Sequence, residues 1–325
     1  MHHLLDRFSK LQVLVLGDVM IDRYLTGRVS RISPEAPVPV VELQREELRL
    51  GGAANVALNV RALGATPYLC SVIGKDAYGT ALLNLLPPQQ LSPRCILQSE
   101  DRRTTCKSRV IAGDQHLLRI DEEDTFELSA KDSERLLSAI RRLLDSRDID
   151  LILFQDYDKG VLSKEVIREV LLEAVKRDIP TAVDPKKRQF WEYRQVRMFK
   201  PNLKEVRESV PFSVEVDTAS LSRAADHIRS QLNNEITLIT LSEKGLFVRD
   251  ETTTELIPTQ PRAIADVCGA GDTVFSVAAL AMAAGLPLRE LGILANLAGG
   301  QVCEKIGVVP VDRSLLLEEF QLQKH

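Results

Sequence analysis

The segment ADVCGAGDTVFS, residues 265–276, sets Gly269, Ala270, Gly271 and Asp272 in front of the apolar run TVFSVAALAMAAG. Glycines permit a close backbone approach. The first turn of a helix carries amides without intrahelical partners at the positive end of the helix dipole. Such a start stabilises anions, including charge growing on a phosphoryl group in transfer. Asp272, placed in that turn, could accept the proton of an attacking hydroxyl. The same residues read equally well as a tight turn with an acidic helix cap, and the segment alone does not choose between a base and a cap.

A second candidate lies in LRLGGAANVALNVRALG, residues 48–64. Gly51 and Gly52 allow a polar ligand close to the backbone, and Asn55 can donate and accept near a helix start. The alternative is a strand-to-helix connection with a polar cap. The stretch is neither GxGxxG nor GxxxxGK[ST], so the dinucleotide fingerprint and the Walker phosphate loop are absent. Asp18 and Asp22 could pair as acceptors for sugar hydroxyls, or each could cap a turn. His116 and His227 are isolated from any metal-ligand pattern. The arginine pairs 102–103 and 141–142 read as solvated surface, and Trp191 and Tyr193 lack the spacing of base-stacking aromatics.

Strands and helices must position these groups. LQVLVLGDV (11–19) reads as a buried strand ending in Gly17 and Asp18, and AANVALNVRALG (53–64) as a helix closed by Gly64. The alternation continues with strands at 66–74, 149–154, 179–184, 196–202 and 235–241, and helices at 131–146, 163–177 and around 218–232. Strands rich in Val, Ile and Leu on both faces, separated by amphipathic helices, predict an α/β fold with a mostly parallel sheet covered on both sides. Residues 22–47 and 102–121 break the rhythm and read as strands of a small inserted sheet, a lid on a main domain made of 1–21, 48–101 and 122–325. One apolar face of such a sheet must cover a site or a second subunit.

Composition narrows the function. The 325 residues are 44% hydrophobic, enough for a sizeable core, and 42 basic against 46 acidic residues leave a net charge of −4. That balance provides no broad basic field for nucleic acid. Five cysteines, Cys70, Cys95, Cys106, Cys268 and Cys303, have no CxxC spacing, which predicts no disulfide framework or structural zinc and fits a reducing cytoplasm. The start MHHLLDRFSK does not resemble a secretory leader. The apolar stretch at 273–284 falls short of the roughly 20 residues that cross a bilayer.

Gly51-Gly52 with DVCGAGDT (266–273) resembles the two signatures of the ribokinase, or phosphofructokinase-B, family of sugar kinases. LGDVMIDRYLTGRVSRISPEAPVPVV (16–41), TTCKSRVIAGDQHLLRID (104–121), VDPKK (183–187) and KPNLKE (200–205) resemble the heptose-phosphate branch, and the likeness runs from about residue 11 to 311. The resemblance implies a ribokinase-like three-layer α/β/α sandwich with a small β-sheet lid. It implies ATP-dependent phosphorylation of the anomeric hydroxyl of a heptose 7-phosphate, in precursor synthesis for lipopolysaccharide core. Asp272 is then the base, and the amides of Gly269, Ala270, Gly271 and Asp272 form the anion hole. Asp18, Asp22, Gly51, Gly52 and Asn55 fall to the sugar. ATP falls to Asn202, Glu205, Ser242, Gly245, Gly269, Gly271 and Asn296, with Asn202 and Glu205 holding hydrated Mg2+ through water. Asp266 matches the edge of a monovalent-cation (K+) site found in some members.

A phosphorylated sugar also needs positive charge opposite its phosphate. Arg31, Lys107 and Arg109 from the inserted sheet and Lys186 after a main-sheet strand are the candidates, although each alone reads as a solvated base. The lid further implies a homodimer clasp. No room for a second α/β domain follows residue 320, so a stand-alone kinase is expected. The alternatives are a ribokinase-like kinase for another sugar or sugar phosphate, and a sugar-phosphate binding protein without catalysis.

Overall fold

The computed structural model describes residues 6–113 and 115–323; Asp114, in the expected lid turn, lies outside them. From β1 (Gln12–Gly17) the chain passes at once into a small sheet, out along β2 (Val19–Ile32) and back along β3 (Pro39–Gly52), and α1 (Ala53–Ala62) starts there. β4 (Thr66–Gly74), α2 (Ala77–Leu85) and β5 (Ile96–Ser99) follow, and β6 (Thr105–Ala112) and β7 (Gln115–Glu122) complete the small sheet. The chain continues through α3 (Ala130–Ser146), β8 (Leu151–Gln155), α4 (Lys164–Lys176), β9 (Thr181–Asp184) and β10 (Met198–Phe199). It then forms α5 (Leu203–Ser209), α6 (Thr218–Leu232), β11 (Ile236–Thr240), β12 (Leu246–Arg249) and β13 (Thr254–Ile257). Three helices, α7 (Ala270–Ala283), α8 (Leu288–Cys303) and α9 (Arg313–Leu322), close the fold.

The main sheet runs β13-β12-β11-β10-β9-β8-β1-β4-β5 and is parallel except at β12 and β13. Strand β1 explains why it is covered on both sides. Val13 and Val15 enter one apolar core, shared with α1, α7 and α8, while Leu14 and Leu16 enter another, shared with α3, α4 and α6. Successive side chains of a strand point to opposite faces, so an uninterrupted apolar strand demands two helical layers and yields the three-layer sandwich. The helices start where side chains satisfy orphan amides: Ser129 accepts from Asp132, Ser163 from Val166 and Asp217 from Ser220.

The small sheet has the order β3-β2-β6-β7 and is wider than the sequence suggests, reaching back to Val19 and Gly52. Cross-strand register sorts its faces. Leu25 pairs with Val110 and Val110 with Leu118, so these and Ile120 share one face, and Leu118 and Ile120 are exposed there. Asp22, Tyr24 and Arg109, in the alternate positions of β2 and β6, are buried.

The expected strand at 196–202 is only Met198–Phe199, with an isolated bridge from Asn202 to Thr240, because Pro201 and the helix cap Asn202 end it. Helix α2 and strands β5 and β13 were not anticipated: each is short and flanked by turns, so its periodicity is weak.

Candidate active site

Gly269 is the N-cap of α7, in a left-handed conformation (φ 79°), with no side-chain cap. A Cβ there would lie 2.9 Å from Asn55 Nδ2, so glycine both permits the turn and leaves space for Asn55. Ala270 N reaches Val267 O at 3.3 Å, whereas the amides of Gly271 and Asp272 find no partner among the described residues. A Cβ on Gly271 would meet nothing within 4 Å. Unpaired amides at a helix start have the chemistry of an anion site.

Asp272 sits in the first turn but does not cap it. Its carboxylate accepts from three side chains of distant elements: Asn55 Nδ2 at 2.8 Å on Oδ2, and the Tyr157 hydroxyl at 2.7 Å and Gln155 Nε2 at 3.3 Å on Oδ1. Asn55 is oriented by Asn59, which donates to its Oδ1 at 3.3 Å. Burial pushes the Asp272 carboxyl up to about 6, while Asn55 and Tyr157 favour its charged form and Asp184 and Lys200 act in opposite directions. A buried carboxylate with that affinity for protons beside an anion site has the character of a general base working near neutral pH.

The charged groups behind it are paired. Asp184, at the end of β9, forms an ion pair with Lys200 at 3.0 Å and accepts from Gln155 at 3.3 Å. The Lys186 ammonium contacts Glu205 and lies 5.5 Å from the centre of the Tyr157 ring. Burial works against the charge on Lys186, but Asp184 and Glu205 outweigh it and hold its pKa above the ordinary lysine range.

Several candidate residues sit in other surroundings than the sequence suggests. Asp18 is not an open acceptor: Oδ2 takes the amides of Tyr157 (2.9 Å) and Lys159 (3.1 Å), and Oδ1 that of Val161 (3.1 Å), so it straps the loop after β8. Asp22 is likewise engaged, buried against Arg109, whose guanidinium also lies over the Tyr24 ring. Gly51 is needed because a Cβ would fall 2.2 Å from the Asp22 carboxylate, and Gly52 because it starts α1 at φ 61°. Lys107 is held by Asp121 and Glu123, both at 3.0 Å. Arg31 is exposed near the outer end of the lid, opposite Val40, and does not join the cluster.

Asn202 and Glu205 form a reciprocal capping box at the start of α5, Asn202 accepting from the Glu205 amide at 2.9 Å and Glu205 Oε2 from the Asn202 amide at 2.8 Å. Each Glu205 oxygen keeps a lone pair for a metal-bound water, which fits a magnesium ion that retains its hydration better than direct coordination. Among the described residues no group of three or more His, Cys, Asp or Glu could hold a metal by itself. Asn202 and Ser242 line a surface cavity of about 420 Å³ at the carboxyl ends of β10 and β11, with Lys204 and Lys244 on its walls. In open α/β sheets, ligands bind beyond the carboxyl ends of strands. Gly245 (φ 95°) closes the β11–β12 turn, and Asn296 donates to Pro258 O at 2.8 Å, fixing the loop after β13. Asp266 accepts from the Cys268 amide at 3.0 Å and the Gly307 amide at 2.9 Å. Burial raises its carboxyl, but these amides prevail and hold it below the ordinary range.

Tyr157 and Gln155 were missed. The signal available was positional: Gln155 ends and Tyr157 soon follows the buried strand β8, which lies beside β1, at the carboxyl ends of the strands where ligand sites form.

This fold and site define a carbohydrate kinase of the ribokinase-like class. The pfkB family carbohydrate kinase model matches residues 10–313, and the chain belongs to that family. Its relatives include the bifunctional protein HldE of Trichlorobacter lovleyi, 42% identical over 322 residues covering 98% of this chain and 65% of the relative. The bifunctional protein HldE of Nitratiruptor sp. is 42% identical over 312 residues, covering 96% of this chain and 64% of the relative. The chain thus spans less than two thirds of the length of these relatives. Among solved structures, phosphofructokinase-2 from Escherichia coli in complex with potassium superposes with a TM-score of 0.80 at 18% identity, over 97% of this chain and 99% of that one. Ribokinase from Arabidopsis thaliana complexed with ribose and ATP gives 0.71 at 18% identity, over 96% and 98%. These two likenesses establish the shared fold.

Proposed function

We propose that the chain transfers the terminal phosphoryl group of ATP to the anomeric hydroxyl of D-glycero-β-D-manno-heptose 7-phosphate, giving the 1,7-bisphosphate used to make ADP-heptose for lipopolysaccharide core. The observation that carries the reaction type is the buried Asp272 carboxylate beside the unpaired amides of Gly271 and Asp272. Asp272 takes the hydroxyl proton as the sugar oxygen attacks phosphorus, and the α7 start stabilises charge on the transferring group. Asn202 and Glu205 would hold the hydrated magnesium of magnesium-ATP, which neutralises phosphate charge. The ionised Asp266 is the proposed neighbour of a monovalent cation such as K+. The heptose assignment rests on the segments 16–41, 104–121, 183–187 and 200–205 and on the HldE relatives.

A panel of heptose 7-phosphate, fructose phosphates and ribose, with position-resolved product analysis, tests the substrate. Efficient anomeric phosphorylation of the heptose is expected. Turnover of another sugar with none of the heptose would favour a different ribokinase-like kinase, and saturable binding without product a non-catalytic binding protein.

We also propose a homodimer through the lid, in the cytoplasm, where the five free thiols stay reduced. No described helix is long and apolar enough to cross a membrane. The support for the dimer is the exposed lid face carrying Leu118 at 57% and Ile120 at 45% exposure, on the side opposite Asp22 and Arg109. Leu118→Glu should shift sedimentation equilibrium from dimer to monomer across a concentration series. A monomeric parent with full activity would rule out the clasp.

A further inference from the structure

We infer that Tyr157 is a positioning residue that occupies Oδ1 of Asp272 and so reserves Oδ2 for the acceptor hydroxyl; this rests on the reading of Asp272 as the base. A carboxylate offers about two lone-pair positions on each oxygen. Tyr157 and Gln155 fill both positions on Oδ1, at 2.7 and 3.3 Å, whereas Oδ2 accepts, among the described residues, only from Asn55, at 2.8 Å. The free lone pair on Oδ2 is the place to which a substrate proton can go.

The loop after β8 is built to deliver the phenol. Asp18 accepts the amide of Tyr157 itself and those of Lys159 and Val161, and Asp158 turns the chain at φ 55°. Burial, with Asp272 and Asp184 nearby, holds the Tyr157 hydroxyl well above its ordinary pKa, so it remains a donor throughout the working range. In the reaction the acceptor O–H bond breaks, its proton passes to Oδ2, and the oxygen lone pair forms the new bond to phosphorus as the bond to ADP breaks. Tyr157 keeps its own proton and holds the carboxylate plane while this happens.

The groups facing Asp272 are Asn55 from α1, Gln155 and Tyr157 at the end of β8, Asp184 from β9, Lys186 beyond it, and Lys200 after β10. Of these, Asn55 and Tyr157 stabilise the ionised carboxylate by hydrogen bonds. Removing the phenol hydroxyl therefore raises the proton affinity of Asp272.

The test is Tyr157→Phe in the full chain, with kcat, KM and the pH dependence of kcat/KM. The acid limb of the profile should move upward by about one pH unit, the order for one hydrogen bond to a charged group, so turnover should fall roughly tenfold on the acid side of the limb and about twofold at pH 7. KM for ATP should stay within about twofold, since the anion site is untouched. A difluorotyrosine at 157, a more acidic phenol in the same place, should move the limb downward and keeps the question answerable if the phenylalanine variant fails to fold. An unmoved limb in either folded variant, with parental turnover, overturns the role of Tyr157. Failure of the base itself is separately visible, because Asp272→Asn would then retain turnover.

Discussion

Asp272→Asn is expected to lower turnover by about 10²–10⁴-fold, the order associated with general-base catalysis, and at the same time to stabilise the fold at neutral pH. Folding raises the Asp272 carboxyl from 3.8 to about 6. Between those values the folded chain binds more protons than the unfolded one, so stability declines as pH rises and stays reduced above about 6. The ionised group costs on the order of 3 kcal/mol there, and asparagine carries no such charge. Denaturant unfolding at pH 8 should therefore show a more stable variant, with the difference fading toward pH 4. A simple helix cap predicts near-parental turnover and stability, since asparagine caps as well as aspartate. The observed geometry already separates the two readings: the carboxylate reaches side chains of α1 and β8, not the amides of its own turn.

The second large effect is expected at the lid. Arg109→Met leaves Asp22, 3% exposed, without the guanidinium that pairs with it. Removing one partner of a buried ion pair costs about 3–5 kcal/mol. Burial already raises the Asp22 carboxyl even with Arg109 pulling it down, so the variant will meet the cost largely by protonating Asp22. The destabilisation is then greatest above neutrality and shrinks as pH falls toward the ordinary carboxylate range. Adding Asp22→Asn should recover most of the loss. Urea unfolding of the parent, both single variants and the double variant at pH 5 and pH 8 checks this; equal destabilisation at both pH values, or no recovery in the double variant, would contradict the pairing. If Arg109 or Lys186 also holds the sugar's phosphate, its removal raises KM for the phosphorylated sugar more than for the unphosphorylated analogue.

The architecture was legible because β1, β4, β8 and β9 are apolar on both faces, and only a sheet buried between two helical layers accommodates them. Asp272 and Asn55 stood out through their glycine contexts, although nothing in the spacing reveals that residues 217 apart share a hydrogen bond. Charge roles were less legible, because a side chain's partner depends on strand register. Lys107 reads as a free base until β7 brings Asp121 opposite it, and Asp22 as a free acceptor until β6 brings Arg109 alongside. Tyr157 lay hidden for a related reason. Its position is set by Asp18, 139 residues earlier, and a tyrosine after a strand has no pattern of its own.

The central claim, that the Asp272 carboxylate takes the acceptor's proton, is tested most directly by the pH dependence of single-turnover phosphoryl transfer in the parent and in Asp272→Asn. The parent rate should fall tenfold per pH unit below about 6, and the residual rate of the variant should be flat through the same range. A variant that keeps both the parental rate and the same acid limb would show that the proton goes elsewhere.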